Sequence, residues 1–120
     1  MIGIYINDSS APYTEMILNG LKTVETRNRN TLGRYLGERV GIIKTGKGKP
    51  ILVGYATIES IYQWYTEEAF FKDSWMHRVY DGPYAEWKGN KYGYGLTDVE
   101  RCDPRYVNAV KRYGRVACEF

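Results

Sequence analysis

Three ionic side chains stand close together early in the chain: Lys22, Glu25 and Arg27, within Gly20-Leu21-Lys22-Thr23-Val24-Glu25-Thr26-Arg27. Thr23 to Arg27 is a short β-prone run. Residues two apart on a strand share a face, so Glu25 and Arg27 point to one side and Val24 and Thr26 to the other. A carboxylate and a guanidinium on an interior face are costly to bury unless they pair or meet a polar ligand, which makes that face a candidate cleft wall. Lys22 lies just before the strand, where the turn from Gly20 can swing its ammonium toward the same cleft. Two cations flanking a carboxylate suit a polar or anionic ligand such as a nucleotide. Spacing alone favours a plainer arrangement, in which Glu25 and Arg27 form a structural ion pair and Lys22 is a solvated surface charge.

The charge pattern extends this region. The net charge is only +3, modest for a nucleic-acid binder, so its distribution matters more. From Gly20 to Lys49 the cations Lys22, Arg27, Arg29, Arg34, Arg39, Lys44, Lys47 and Lys49 face only two acids, Glu25 and Glu38. Arg29, Lys44 and Lys47 read as a basic rim to the cleft. A second basic stretch holds Arg105, Lys111, Arg112 and Arg115 and no acid, whereas Ile61 to Glu86 carries more acids than bases. A basic side and a more acidic side follow.

The elements that must position these groups are legible in part. Ile2, Ile4 and Ile6 alternate with Gly3 and Tyr5, the period of a strand. Ser9 and Ser10 are candidate caps for a helix with Pro12 in its first turn, which Asn19-Gly20 stops. After the Thr23 to Arg27 strand, Asn28-Arg29-Asn30 reads as a loop and Gly33 and Gly37 mark turns. Arg39 to Thr45 and Ile51 to Ile61 read as an antiparallel pair across the loop Gly46 to Pro50. Thr66-Glu67-Glu68 before Ala69-Phe70-Phe71 predicts a capped short helix. Tyr92 to Arg101 returns to strand, Asp103-Pro104 predicts a turn or short helix, and Arg115 to Phe120 a last strand. Several short strands with an early helix make an α+β, mainly β, small mixed barrel.

At 120 residues the chain has the size of one domain, read as 1–120. No run approaches the apolar length of a membrane helix, and Met1-Ile2-Gly3-Ile4-Tyr5 lacks a signal-peptide pattern, so a cytoplasmic location without membrane association is expected. Cys102 and Cys118 read as plain thiols rather than a disulfide. One histidine, His77, and two distant cysteines give no metal-site spacing, and neither metal nor cofactor is expected. With Trp75 and Tyr80 nearby, His77 reads as a packed or surface residue. Thr45-Gly46-Lys47-Gly48-Lys49 lacks the phosphate-loop pattern and precedes a strand, so it reads as a basic hairpin tip. Between Tyr62 and Tyr94 aromatics crowd the sequence; most serve packing, and Trp64, Tyr65, Trp87 and Tyr92 are candidates to stack on unpaired bases.

The run G-x-K-x-x-E-x-R from Gly20 to Arg27 resembles the motif of the ASCH family, in the PUA-like superfamily. Pro12-Tyr13-Thr14-Glu15-Met16-Ile17-Leu18 before it is similar to the family's helix. Gly37 to Ile42, Val53 to Ile58, Tyr92 to Leu96 and Gly114 to Ala117 resemble its later strands. Only Tyr62 to Asn90 departs from the pattern. The resemblance implies a mixed β-pseudobarrel with short helices whose cleft is lined by the motif. The implied partner is RNA or a modified nucleoside, with single-stranded DNA as a further candidate and the oligomeric state open. An adaptor role in transcription is an alternative.

The resemblance also implies two possible activities. ASCH-like bacterial amidohydrolases deacetylate N(4)-acetylcytidine with a lysine, a threonine and a glutamate. Lys22 matches the lysine, Glu25 stands where the threonine would, and Glu67 and Glu68 are loose candidates for the distant glutamate. In such a reaction Lys22, its pKa lowered in the cleft, assists proton transfer while Glu25 activates water. Other ASCH proteins are ribonucleases, and a lysine-rich cleft can stabilise phosphorane-like charge; nothing in the sequence names a nucleolytic base.

Overall fold

A computed structural model describes residues 1–120. Seven strands form one mixed sheet: β1 (Ile2–Asn7), β2 (Val24–Arg27), β3 (Arg39–Thr45), β4 (Ile51–Trp64), β5 (Lys91–Tyr106), β6 (Lys111–Tyr113) and β7 (Ala117–Glu119), in the order β2-β5-β4-β3-β1-β7-β6. The helices are short: α1 (Tyr13–Leu18), α2 (Glu67–Lys72) and α3 (Ser74–His77). β1 and β3 are parallel, with Ile4 opposite Ile42, and the other pairs are antiparallel. This is the α+β, mainly β, architecture expected from the sequence.

Alternation decides which side chains enter the core. Ile4 and Ile6 of β1 and Val40 and Ile42 of β3 join Ala56 and Ile58 of β4 on one face, which α1 covers with Tyr13 and Ile17. Tyr5 and Ile43 turn to the opposite face and pack with Leu52, Cys118 and Phe120. β1 and β3 are therefore buried on both sides, as strands inside a curled sheet must be.

The long antiparallel β4–β5 pair is irregular. Its register shifts near Val53, Ala56 and Glu59, and such bulges bend the strand and increase its twist. At the first of these, Leu52 pairs with Arg105 and Gly54 with Arg101, leaving Cys102, Asp103 and Pro104 opposite Val53. Asp103-Pro104 was expected to start a turn or helix; instead the strand runs through it, because an irregular ladder demands no N–H from proline.

Three further expectations change. The start of α1 is held by Asp8 rather than by Ser9 or Ser10: the Asp8 carboxylate accepts the Thr14 N–H at 3.1 Å and the Thr14 hydroxyl at 2.5 Å. β4 continues past Ile61 to Trp64. β6 was not expected at all; Gly114, with φ near 59°, turns it back onto β7. Thr66, in contrast, caps α2 as its sequence indicates, accepting the Ala69 N–H at 3.1 Å.

The sheet does not close by strand pairing, since β2 and β6 are its two ends. Those ends nevertheless face one another: Arg27 of β2 donates to the Tyr5 carbonyl of β1 at 2.7 Å, and Arg112 of β6 and Arg115 of the following turn share a cavity with Arg27. That seam makes the sheet a pseudobarrel and leaves a hollow where a closed barrel would have hydrogen bonds.

Candidate functional site

The hollow at the seam has a volume of about 570 Å³, within the range of small-molecule sites. Lys22, Glu25, Arg27 and Arg29 all line it. The three ionic groups of the motif meet at this wall: the Glu25–Arg27 pair that spacing alone favours does form, but Lys22 is buried beside it and is not the solvated surface charge of that plainer arrangement. Gly20 has φ near 84°, a left-handed conformation that glycine adopts without strain.

Glu25 is the hub. Its Oε2 accepts from Arg27 Nη1 at 2.5 Å, and its Oε1 accepts the Thr26 N–H at 3.2 Å and lies 3.6 Å from Lys22 Nζ. Burial alone would raise its pKa, but Arg27, Lys22 and the Thr26 N–H together hold it below the ordinary value. Both oxygens are engaged and the carboxylate stays ionised.

Lys22 is 1% exposed. Its ammonium donates to the His77 carbonyl and lies 5.0 Å from the centre of the Tyr13 ring. Burial pushes its pKa below the usual lysine value, Glu25 opposing and Arg27 reinforcing the shift. The carbonyl that receives it belongs to the aromatic segment that fits no family pattern.

His77 itself is fully buried, stacked on Phe70 with ring centres 4.1 Å apart. One ring nitrogen bonds the Phe70 carbonyl at 2.8 Å and the other accepts the Val79 N–H at 3.0 Å. Burial brings its pKa down to about 4, so the ring is neutral near pH 7. It is a packed residue, as expected, whose backbone serves the site.

Other expected site residues lie elsewhere. Lys44 does not line the hollow; on β3 opposite Ile51, its charge acts on Glu15 of α1. Lys47 is exposed at the hairpin tip; its chain neighbours Thr45, Gly46 and Pro50 line the hollow but Lys47 itself does not. Glu67 and Glu68 are exposed in the first turn of α2 and absent from the wall, so neither supplies a distant glutamate to the cleft. Trp64 is buried, its indole donating to Asp73 at 2.8 Å, and cannot stack on a base. Tyr65 and Trp87 lie outside the hollow; Tyr92 borders a smaller one.

The wall also holds residues that the sequence did not single out. Tyr13 and Tyr84 meet edge to face at 6.3 Å, and Asn7, Asn28 and Thr31 add polar groups. Arg112 and Arg115 belong to the basic stretch near the C-terminus, but nothing local shows that the last hairpin faces the first motif. The wall thus carries Lys22, Arg27, Arg29, Arg112 and Arg115 against the single carboxylate of Glu25.

No protein-family model matches the sequence, and no curated protein does. Among solved structures the chain is similar to the crystal structure of ASCH from Zymomonas mobilis, with 23% identity and a TM-score of 0.71 over 88% of this chain and 73% of that one. Two single-substitution variants of that protein match equally, with TM-scores of 0.71 and 0.70 over 88% and 87% of this chain and 75% and 73% of theirs. No helix is long and apolar enough to cross a membrane. With a mainly β mixed sheet, three short helices and this likeness, the chain has the fold of the ASCH domain proteins.

Proposed function

We propose that the seam hollow binds a nucleoside or nucleotide, free or within single-stranded RNA, as a member of the ASCH family would. The observation that carries this reading is the wall's charge balance: five cations surround one carboxylate that is already paired. The uncompensated cations, chiefly Arg29, Arg112 and Arg115, suit phosphate oxygens. Tyr84, partly exposed and backed edge to face by the buried Tyr13, offers an aromatic ring to a base, and Asn7, Asn28 and Thr31 offer hydrogen-bonding groups to its polar edge.

Binding without chemistry is the better fit because no free base faces the hollow. Glu25 has both oxygens engaged and a lowered pKa, which makes it a weak proton acceptor. One observation favours a second reading, a small amidohydrolase: burial lowers the pKa of Lys22, as proton transfer near neutrality requires. Turnover of acetylated cytidine by the purified protein, abolished by Lys22→Ala, would establish that reading, and no turnover removes it for this substrate.

The binding reading is tested by a thermal-shift screen against natural and modified nucleosides, their monophosphates and short RNAs. A ligand that binds the folded state raises the melting temperature by mass action. At least one nucleoside or nucleotide should do so, and the shift should shrink in Arg29→Ala. A flat response across the panel contradicts the reading.

A further inference from the structure

A second hollow of about 470 Å³ adjoins the first, lined by Asn28, Arg29, Asn30, Lys88, Asn90 and Tyr92. Asn28 and Arg29 belong to both walls. Two of its amides are oriented by donors from within the protein. Lys91, 1% exposed, donates to Asn28 Oδ1 at 2.8 Å and to the Tyr84 carbonyl at 2.9 Å. An ammonium only donates, so the Asn28 amide must present its oxygen to Lys91 and keep its nitrogen free.

Tyr94 does the same for Asn30. Its hydroxyl accepts the Leu32 N–H at 3.3 Å and donates to Asn30 Oδ1 at 2.8 Å, which commits that amide oxygen too. Neither amide nitrogen has a hydrogen-bond partner in the chain, although the two oxygens are fixed from behind. Tyr92 accepts from Gln63 Nε2 at 3.2 Å, which leaves its hydroxyl proton to donate.

This hollow therefore gathers donors: two preset amides, the Arg29 guanidinium, the Lys88 ammonium and the Tyr92 hydroxyl, with no carboxylate among its lining residues. The buried Lys91 ammonium behind it has no carboxylate hydrogen-bonded to it, with Lys88 and Glu86 as the charges that act on it from nearby. A set of donors, two of them held in orientation, with no acid among the lining residues is the chemistry of a phosphate site. We propose that the second hollow holds the phosphodiester that flanks a nucleotide seated in the main one, so that the ligand is a single strand of at least two nucleotides. This rests on the nucleotide reading above, and the shared Asn28 and Arg29 join the two positions.

The test uses the whole protein and two probes: the four ribonucleosides, and a fluorescein-labelled RNA hexamer of randomised sequence followed by anisotropy at several salt concentrations. Lys88 is exposed and outside the main hollow, so Lys88→Ala and Lys88→Glu should fold normally; Lys72→Ala is the control for loss of a remote surface charge. The hexamer should bind more tightly than any nucleoside. Lys88→Ala should weaken it by about five-fold and lower the salt slope by about one, with Lys88→Glu worse and nucleoside binding unchanged. Hexamer binding that is indifferent to Lys88, or equal in Lys88→Ala and Lys72→Ala, overturns the proposal. If hexamer binding depends on Lys88 while no nucleoside binds, the phosphate site stands and the nucleoside reading of the main hollow falls. If neither probe binds, both fall.

Discussion

Arg27 and Glu25, two residues apart on β2, form an ion pair whose guanidinium also reaches the Tyr5 carbonyl at 2.7 Å. One side chain thus ties β2 to β1, two strands not paired in the sheet, and holds the Glu25 carboxylate ionised in a site where its side chain is only 6% exposed. The pair is both a clamp on the seam and part of the cavity wall.

Removing the carboxylate leaves two cations facing one another. Glu25→Gln should destabilise the protein by about 3 kcal/mol, because breaking a buried pair strands its partners. Urea unfolding at neutral pH measures it.

Acid should act through the same group. A carboxyl whose folded pKa lies below its unfolded value contributes stability above the unfolded value and loses it as pH falls through the folded one. Glu25 lies below its ordinary 4.5, so its contribution is present above about that pH and is lost below it. The decline in stability below pH 4.5 should be shallower in Glu25→Gln than in the wild type, as urea midpoints across acid pH will show.

His77 gives a separate window. Its pKa is about 4 in the fold against 6.5 when free, so between these values the unfolded chain binds more protons and stability rises with pH. Lowering the pH from 6.5 toward 4 should cost about 3 kcal/mol from this residue. His77→Gln should flatten the profile in that interval while lowering stability above it.

Gly93 lies opposite Thr26 on β2, and a Cβ there would come within 2.5 Å of the Trp64 ring and 2.8 Å of Val24. Gly93→Ala should cost about 2 kcal/mol through overpacking and disturb the β2 edge of the site. Thermal unfolding and the near-ultraviolet signal of Trp64 report the two effects.

The sequence made local features legible and left long-range ones hidden. Two-residue periodicity puts Glu25 and Arg27 on one face because that is a local property, whereas the burial of Lys22 depends on the distant His77 carbonyl and spacing alone leaves it at the surface. Arg112 and Arg115 were visible as basic residues, but which sheet end meets which depends on bulges near Val53, Ala56 and Glu59, and those have no sequence signature. Charge alone puts Lys44 at the rim, whereas on β3 it does not line the hollow and its charge acts on Glu15. Asp103-Pro104 looked like a turn because proline weakens a regular ladder, and only the partner strand shows that the ladder is interrupted there. The aromatic segment fitted no pattern, and it supplies the His77 carbonyl that fixes Lys22.

The central claim concerns where a ligand sits, and amide chemical-shift mapping with the RNA hexamer tests it most directly. The account predicts that the largest shifts fall on Thr26, Arg27, Asn28 and Val116, around the seam, with smaller ones at Asn90 and Tyr92. Shifts confined to the exposed Tyr65, Trp75 and Tyr80, with the seam silent, would contradict it.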